Sequence, residues 1–209
     1  MKWVTAEQGT PEWHAARLGC LTASRMADAQ DRTKSGADSS KRRGLKLELL
    51  AESLTGMAEQ VFVNKAMQWG TDTEPQARGA YALATGNDVE LCGFALHDSI
   101  PYFGASPDGL IGTDGLLEIK CPNSTTHLET VMGGIIPEKH VPQMLTQLAV
   151  TGRSWCDFVS FDPRIKREEF QLFIRRFSPG PAQIDAVEAE ARQIAVELEE
   201  MFQKVKEGI

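Results

Sequence analysis

Ser106-Pro107-Asp108-Gly109, followed by Leu116-Leu117-Glu118-Ile119-Lys120-Cys121-Pro122, decides how this chain is read. Leu116 to Cys121 is a short aliphatic run bounded by Gly115 and Pro122, which predicts a strand. Side chains alternate along a strand, so Glu118 and Lys120 share one face, expected to look onto a cleft, while Leu117, Ile119 and Cys121 turn the other way into a core. Asp108 sits between a proline and a glycine, where a turn can bring it back beside Glu118. Two carboxylates that meet in this way repel unless a cation lies between them, and hard divalent cations with oxygen ligands serve best. The spacing therefore predicts a metal site for phosphodiester hydrolysis. Asp108, Glu118 and the backbone carbonyl of Ile119 are the expected ligands of magnesium, with manganese as a substitute. Lys120 is expected to hold the attacking water and help deprotonate it. A Glu-x-Lys strand alone is more often a weak surface ion pair. The upstream turn is what favours the metal reading.

Bulk properties narrow the class. At 209 residues the chain suits a single domain over 1–209, long enough to bury a core. Its polar N-terminus and the lack of a long apolar run predict a cytoplasmic protein with no membrane association. Cys20, Cys92, Cys121 and Cys156 are scattered without a CxxC pair, so four reduced thiols are expected and a zinc ribbon is not. A net charge of −7 argues against a surface coated for nucleic acid. An acidic nuclease remains workable when its positive charge is concentrated in a groove.

Along the chain, Pro11 opens a helix carrying Trp13, Ala16 and Arg17, Gly19 interrupts it, and Thr22-Ala23-Ser24 offers a new N-cap. Asp31 to Arg43 reads as a mobile basic loop, either a solvated linker or a DNA contact. Helices are expected over Gly44–Leu54, Asn64–Thr85 and Pro137–Thr151, and strands over Val89–Leu96, Tyr102–Ala105, Leu116–Cys121, Trp155–Phe161 and Glu169–Phe177. Ile184, Val187, Ala191, Ile194, Leu198, Met201 and Val205 mark a long amphipathic C-terminal helix, packed on the core or on another subunit. That order predicts an α/β fold with a central mixed sheet flanked by helices.

With these residues placed, the chain resembles the lambda exonuclease group of phage recombination nucleases, also called YqaJ-like, within the PD-(D/E)xK nucleases. The resemblance spans roughly Glu7 to Arg176. It rests on Glu12 to Gly19 with Thr22-Ala23-Ser24, on Asn64-Lys65-Ala66 with Trp69-Gly70 and Glu74, on Ser106 to Gly109, on Glu118 to Pro122, and on the Gln143 helix ending Val150-Thr151. It implies a restriction-endonuclease-like core and a 5′ to 3′ exonuclease that works with two magnesium ions on double-stranded DNA ends, leaving 3′ single-stranded tails for recombination by strand annealing. It further implies a toroidal homotrimer, a single-strand annealing protein as partner, and a phage or prophage origin in a bacterial host. Glu74 would approach the same centre to orient water or a second metal. Arg17, Ser24 and Ser106 would hold the terminal 5′-phosphate, a task for which a guanidinium fork and hydroxyls are suited. Gln143 matches the glutamine that places substrate or water, although Gln147 lies on the same helix face. This chain departs from the family pattern at Leu145, where that pattern has a second glutamine for a phosphate contact. His14 and His140 are assigned no role, and Trp13 and Trp69 are expected to anchor the core. The competing readings are a related endonuclease or repair nuclease, and a non-catalytic module that binds DNA ends.

Overall fold

A computed structural model describes residues 1–58 and 64–208. Its elements are, in order, β1 (Lys2–Val4), α1 (Pro11–Ala16), β2 (Leu21–Thr22), α2 (Met26–Ala29), α3 (Ser40–Thr55), α4 (Lys65–Thr85), β3 (Phe94–Leu96), β4 (Phe103–Ala105), β5 (Gly109–Ile111), β6 (Gly115–Lys120), α5 (Ser124–Gly133), α6 (Val141–Thr151), β7 (Trp155–Phe161), β8 (Leu172–Phe177) and α7 (Pro181–Glu207). The expected class holds, with helices around mixed sheets and a long closing helix. The strands are divided between two four-stranded sheets, ordered β1-β3-β4-β2 and β5-β6-β7-β8. An isolated bridge between Glu90 and Leu110 joins the segment leading into the first sheet to the edge strand of the second.

The helix α6 fills the space between the sheets, and its sequence explains why. From Met144 to Thr151 every residue is buried, which is the mark of a helix enclosed on all sides. Leu145, Ala149 and Val150 pack with Ala95, Phe103 and Ala105 of the first sheet. Met144 and Leu148 pack with Leu116, Cys156 and Phe158 of the second. The strand β6 is consequently covered on both faces, because Leu117 and Ile119 meet Ala77 and Tyr81 of α4 on the other side. β6 and β7 run parallel with Glu118 opposite Phe158 and Lys120 opposite Ser160, so the chain must cross over between them, and α5 and α6 make that crossing.

Local chemistry sets the helix ends that position the site. Asn64 accepts from the amides of Ala66 and Met67 at 3.0 and 2.9 Å to open α4, and Gly86, with φ of 72°, closes it. Ser39 accepts from the amide of Arg42 at 3.2 Å to open α3. At Gly109 a Cβ would come within 2.3 Å of Val89 Cγ1, so only glycine admits the close approach that makes the bridge beside it.

Several expectations change. The basic stretch is not a loop to its end: α3 begins at Ser40, and Arg42 is fully buried. Its guanidinium pairs with Asp38 at 2.8 Å, with Glu197 at 3.0 Å and with Glu190, which docks α3 on α7. That arginine is a structural cross-link and not a DNA contact. The strand expected over Val89–Leu96 is confined to β3, and Glu168–Phe170 is a 3₁₀ turn ahead of β8. Thr22 caps nothing with its side chain; Ala23–Arg25 is a 3₁₀ turn. β1, β2, β5 and α5 had no counterpart among the expected elements. Each of these strands is two or three residues long, too short for alternation to register. All four cysteines are free, and among the described residues no helix is long and apolar enough to cross a membrane.

Candidate active site

The end of β6 and the turn before β5 meet as the spacing implies. Asp108 Oδ2 accepts from the amide of Ile119 at 2.6 Å, and the Asp108 amide donates to Leu117 O at 3.0 Å. The carboxylate is therefore held against the strand that carries Glu118. N–H and C=O of one strand residue lie on the same edge, so the Ile119 carbonyl faces the same space as Asp108. Glu74, Asp108, Ile119 and Lys120 line a cleft of about 470 Å³ together with His140 and Ser160.

Glu118 is not on the cleft surface. It is 0 % exposed, beneath α6, while Lys120 at the strand end keeps 31 % of its side chain in solvent. The expected open face is closed there because α6 covers it. Gln147 Nε2 donates to Glu118 Oε2 at 2.5 Å, and Lys120 Nζ donates to Gln143 Oε1 at 3.3 Å. Both glutamines thus reach the site by different routes, one to the carboxylate and one to the lysine. Lys120 Nζ also forms an ion pair with Glu118 Oε1 at 2.5 Å, so the buried carboxylate is held by the lysine on one oxygen and by Gln147 on the other.

Electrostatics match this crowding. Burial, then the neighbouring Glu118 and Glu74, push Asp108 well above the usual carboxylate range. Glu74 is likewise raised, first by burial and against the pull of Arg78. For Lys120 burial works downward, but Glu118 and Asp108 outweigh it and hold the ammonium above the ordinary lysine range. Three acidic groups against Lys120 and Arg78 make a centre short of positive charge.

A second cluster lies on the same turn. Trp13 Nε1 donates to Ser106 Oγ at 2.9 Å, Arg17 Nη1 donates to it at 3.3 Å, and the guanidinium lies 3.9 Å from the Trp13 ring centroid. Burial lowers the Arg17 pKa to about 10. Among the described residues no carboxylate stands within ion-pair distance of Arg17, although most other arginines in the chain have such a partner. Ser24 follows β2, which runs parallel to β4 with Thr22 opposite Gly104, and it sits in the 3₁₀ turn Ala23–Arg25 without a hydrogen bond to Arg17 or Ser106. Its hydroxyl pairs with Thr22 Oγ1 at 3.3 Å, not with Arg17, and the 3₁₀ turn that contains it is too short to act as a helix end. Leu145 packs into the core of the first sheet and offers nothing to a phosphate.

Three residues join the site that the sequence did not single out for it. Arg78 pairs with Glu74 and donates from Nε to Asp108 O at 3.3 Å; its place four residues after Glu74 was the available signal. Gln8 Nε2 donates to Pro107 O at 2.8 Å. Trp13, expected as a core anchor, is a hydrogen-bonding partner of Ser106. Trp69 is half-buried under Arg164, whose guanidinium lies 4.2 Å from its ring centroid.

This fold and this pairing of clusters define a nuclease-like recombination domain, and a family model agrees: residues 12–154 match the YqaJ-like viral recombinase domain. The chain belongs to that family. It is similar to the alkaline exonuclease LHK-Exo of Laribacter hongkongensis at 45 % identity, over 95 % of this chain and 97 % of that one, with a TM-score of 0.87. LHK-Exo in complex with dAMP superposes over the same shares at 45 % identity and a TM-score of 0.88. A phage-related exonuclease of Haemophilus somnus 129PT, at 12 % identity and a TM-score of 0.68 over 89 % of this chain and 96 % of that one, shares the fold. Comparison with curated proteins gives no match.

Proposed function

We propose that the protein is a metal-dependent exonuclease that degrades double-stranded DNA from 5′-phosphorylated ends in the 5′ to 3′ direction. The observation that carries this reading is that Ser106 and Asp108 belong to one turn. A site suited to a terminal phosphate and a site suited to cleavage are thereby held two residues apart. Family membership and the likeness to an alkaline exonuclease support a nuclease of the recombination type.

The donor set fits magnesium. Asp108, Glu118 and the Ile119 carbonyl would hold one ion, and Glu74 would contribute to a second. The burial of Asp108 and its crowding by Glu118 and Glu74, which raise its pKa, call for a further cation. Among the described residues no three His, Cys, Asp or Glu side chains are grouped as a metal cage; magnesium takes oxygen ligands, a backbone carbonyl included, and keeps several of its waters. When bound, magnesium lowers the pKa of water and stabilises charge on the transferring phosphoryl group.

The chain's own groups do the rest. Lys120, held protonated by its carboxylate neighbours, donates to water or to a phosphate oxygen and orients it for attack. Gln143 fixes the Lys120 ammonium, and Gln147 fixes the Glu118 carboxylate. Arg17 and Ser106 hold the terminal phosphate, with Ser24 completing the pocket. Each cleavage leaves a new 5′-phosphate, so capture at Arg17 biases movement in one direction. Contacts to backbone phosphates carry no base information, so cutting is independent of sequence and binding weakens steeply with salt. A toroidal homotrimer and a single-strand annealing partner belong to the same proposal on the strength of the family.

Linear duplexes labelled at either end, with and without a 5′-phosphate, test polarity and end dependence. Loss of label from phosphorylated 5′ ends is the expected result. Cutting of a closed circular duplex would favour the endonuclease reading, and end binding without degradation in magnesium would favour a non-catalytic module. Mass measurement in solution tests the trimer.

A further inference from the structure

The turn that carries both sites is tied down residue by residue, from the N-terminal segment, from α4 and from β6. Ser106 is held by Trp13 and Arg17, and Asp108 by the Ile119 amide and by Arg78. Those ties belong to the two sites themselves. Pro107, between them, has no N–H and is buried, so its carbonyl is its only backbone handle. That carbonyl accepts from Gln8 Nε2 at 2.8 Å and, weakly, from Cys92 Sγ at 3.3 Å. The same Gln8 nitrogen donates to Cys92 O at 3.0 Å, so one side-chain amide spans the segment before β3 and the turn before β5.

Gln8 also lies at the foot of α1. Gly9, with φ of 87°, and the cap residue Thr10 separate it from the helix that carries Trp13, and Arg17 follows as its C-cap. The segment from Gln8 to Arg17 therefore grips the turn at two points, Pro107 from below and Ser106 from the helix. With both grips in place the peptide between Ser106 and Asp108 is held from the α1 side as well as from β6. With the Gln8 grip released, Ser106 and Asp108 keep their own hydrogen bonds but the Pro107 carbonyl between them loses its strongest donor, while the core is untouched because Gln8 is exposed.

We propose that Gln8 is a positioning residue that sets the spacing between the terminal-phosphate site and the cleavage site. This rests on the end-directed reading above. Small misplacements of reacting groups are costly in rate even when their source lies outside the chemistry. The loss of one amide donor to two carbonyls corresponds to about a tenfold effect.

The test uses full-length wild type, Gln8→Met, which keeps the length and removes the donor, and Gln8→Glu, which sets a carboxylate against two carbonyl oxygens. Initial rates on 5′-phosphorylated and 5′-hydroxyl linear duplexes are compared, with circular dichroism and thermal melting as controls of folding. The expected result is that the ratio of the two rates falls about tenfold in Gln8→Met and further in Gln8→Glu, while the melting profile is nearly unchanged. A merely structural role would lower both rates together through the folded fraction and leave the ratio as in wild type, which overturns the proposal. A wild type that shows no preference for the phosphate would overturn the end-directed reading, and this inference with it.

Discussion

Gln147 donates its side-chain amide to Glu118 Oε2 at 2.5 Å, and both side chains are wholly buried. A carboxylate enclosed in this way depends on that donor, because removing one partner of a buried charged hydrogen bond leaves the other with its full desolvation cost. Gln147→Leu is expected to destabilise the protein by about 3 kcal/mol and to abolish cleavage. Urea unfolding, with a lower midpoint and an unchanged slope, checks the first part. Gln143→Ala, nearer the surface, should leave the midpoint within experimental scatter while still reducing the rate.

Asp108 presents the opposite balance. Burial and two neighbouring carboxylates oppose its charge, whereas its contact with the Ile119 amide needs only an acceptor, which asparagine retains. In the presence of a chelator Asp108→Asn should melt at or above the wild-type temperature. Magnesium should raise the melting temperature of wild type and not of the variant, and digestion should be abolished. Residual activity within tenfold of wild type would remove Asp108 from the site, and the same criterion applies to Lys120→Ala.

Among the described residues Arg17 has Ser106 and the Trp13 ring for partners and no carboxylate. Arg17→Ala should reduce the preference for 5′-phosphorylated over 5′-hydroxyl ends. Arg17→Lys should restore it only in part, since an ammonium lacks the planar fork. An unchanged ratio of rates would place the phosphate elsewhere.

The Arg42 cluster governs stability at low pH. A hydrogen bond from Lys46, followed by Lys46 and Arg42 charge, lowers the pKa of Asp38; for Glu197 burial acts upward, but bonds from Lys46, Gln193 and Arg42 prevail and lower it. Groups whose folded pKa is depressed bind fewer protons folded than unfolded, so their stabilisation is complete above the unfolded values, about 3.9 and 4.3. It is lost as pH falls through the lower folded values. Arg42→Met should cost about 4 kcal/mol near neutral pH, by leaving three carboxylates around an apolar chain. It should also flatten the acid limb of a plot of melting temperature against pH.

The local features of the site were legible in the sequence. Asn64 and Gly86 bracket α4, a glycine-bounded aliphatic run makes β6, and Asp108, Glu118 and Lys120 follow one another closely enough for a turn and a strand to bring them together. Arg17 and Ser106 were singled out on a motif resemblance, and the fold brings both to the turn that carries Asp108. Arg42 was not legible. Its neighbours in sequence are polar and suggest a loop, but Glu190 and Glu197, which bury it, lie 148 and 155 residues away.

By itself the sequence determined the α/β class, the strand and turn that carry the acidic pair, and the ends of the helices around them, because those depend on alternation, capping and conformational preference within a few residues. Only the tertiary structure decided that Glu118 is enclosed and not open to the cleft, that Gln147 and Gln143 serve different partners, and that Gln8 reaches Pro107 across 99 residues. Those outcomes follow from the insertion of α6 between two sheets and the docking of α1 on the turn. Burial and long-range hydrogen bonds are properties of which surfaces meet, and no local pattern records that.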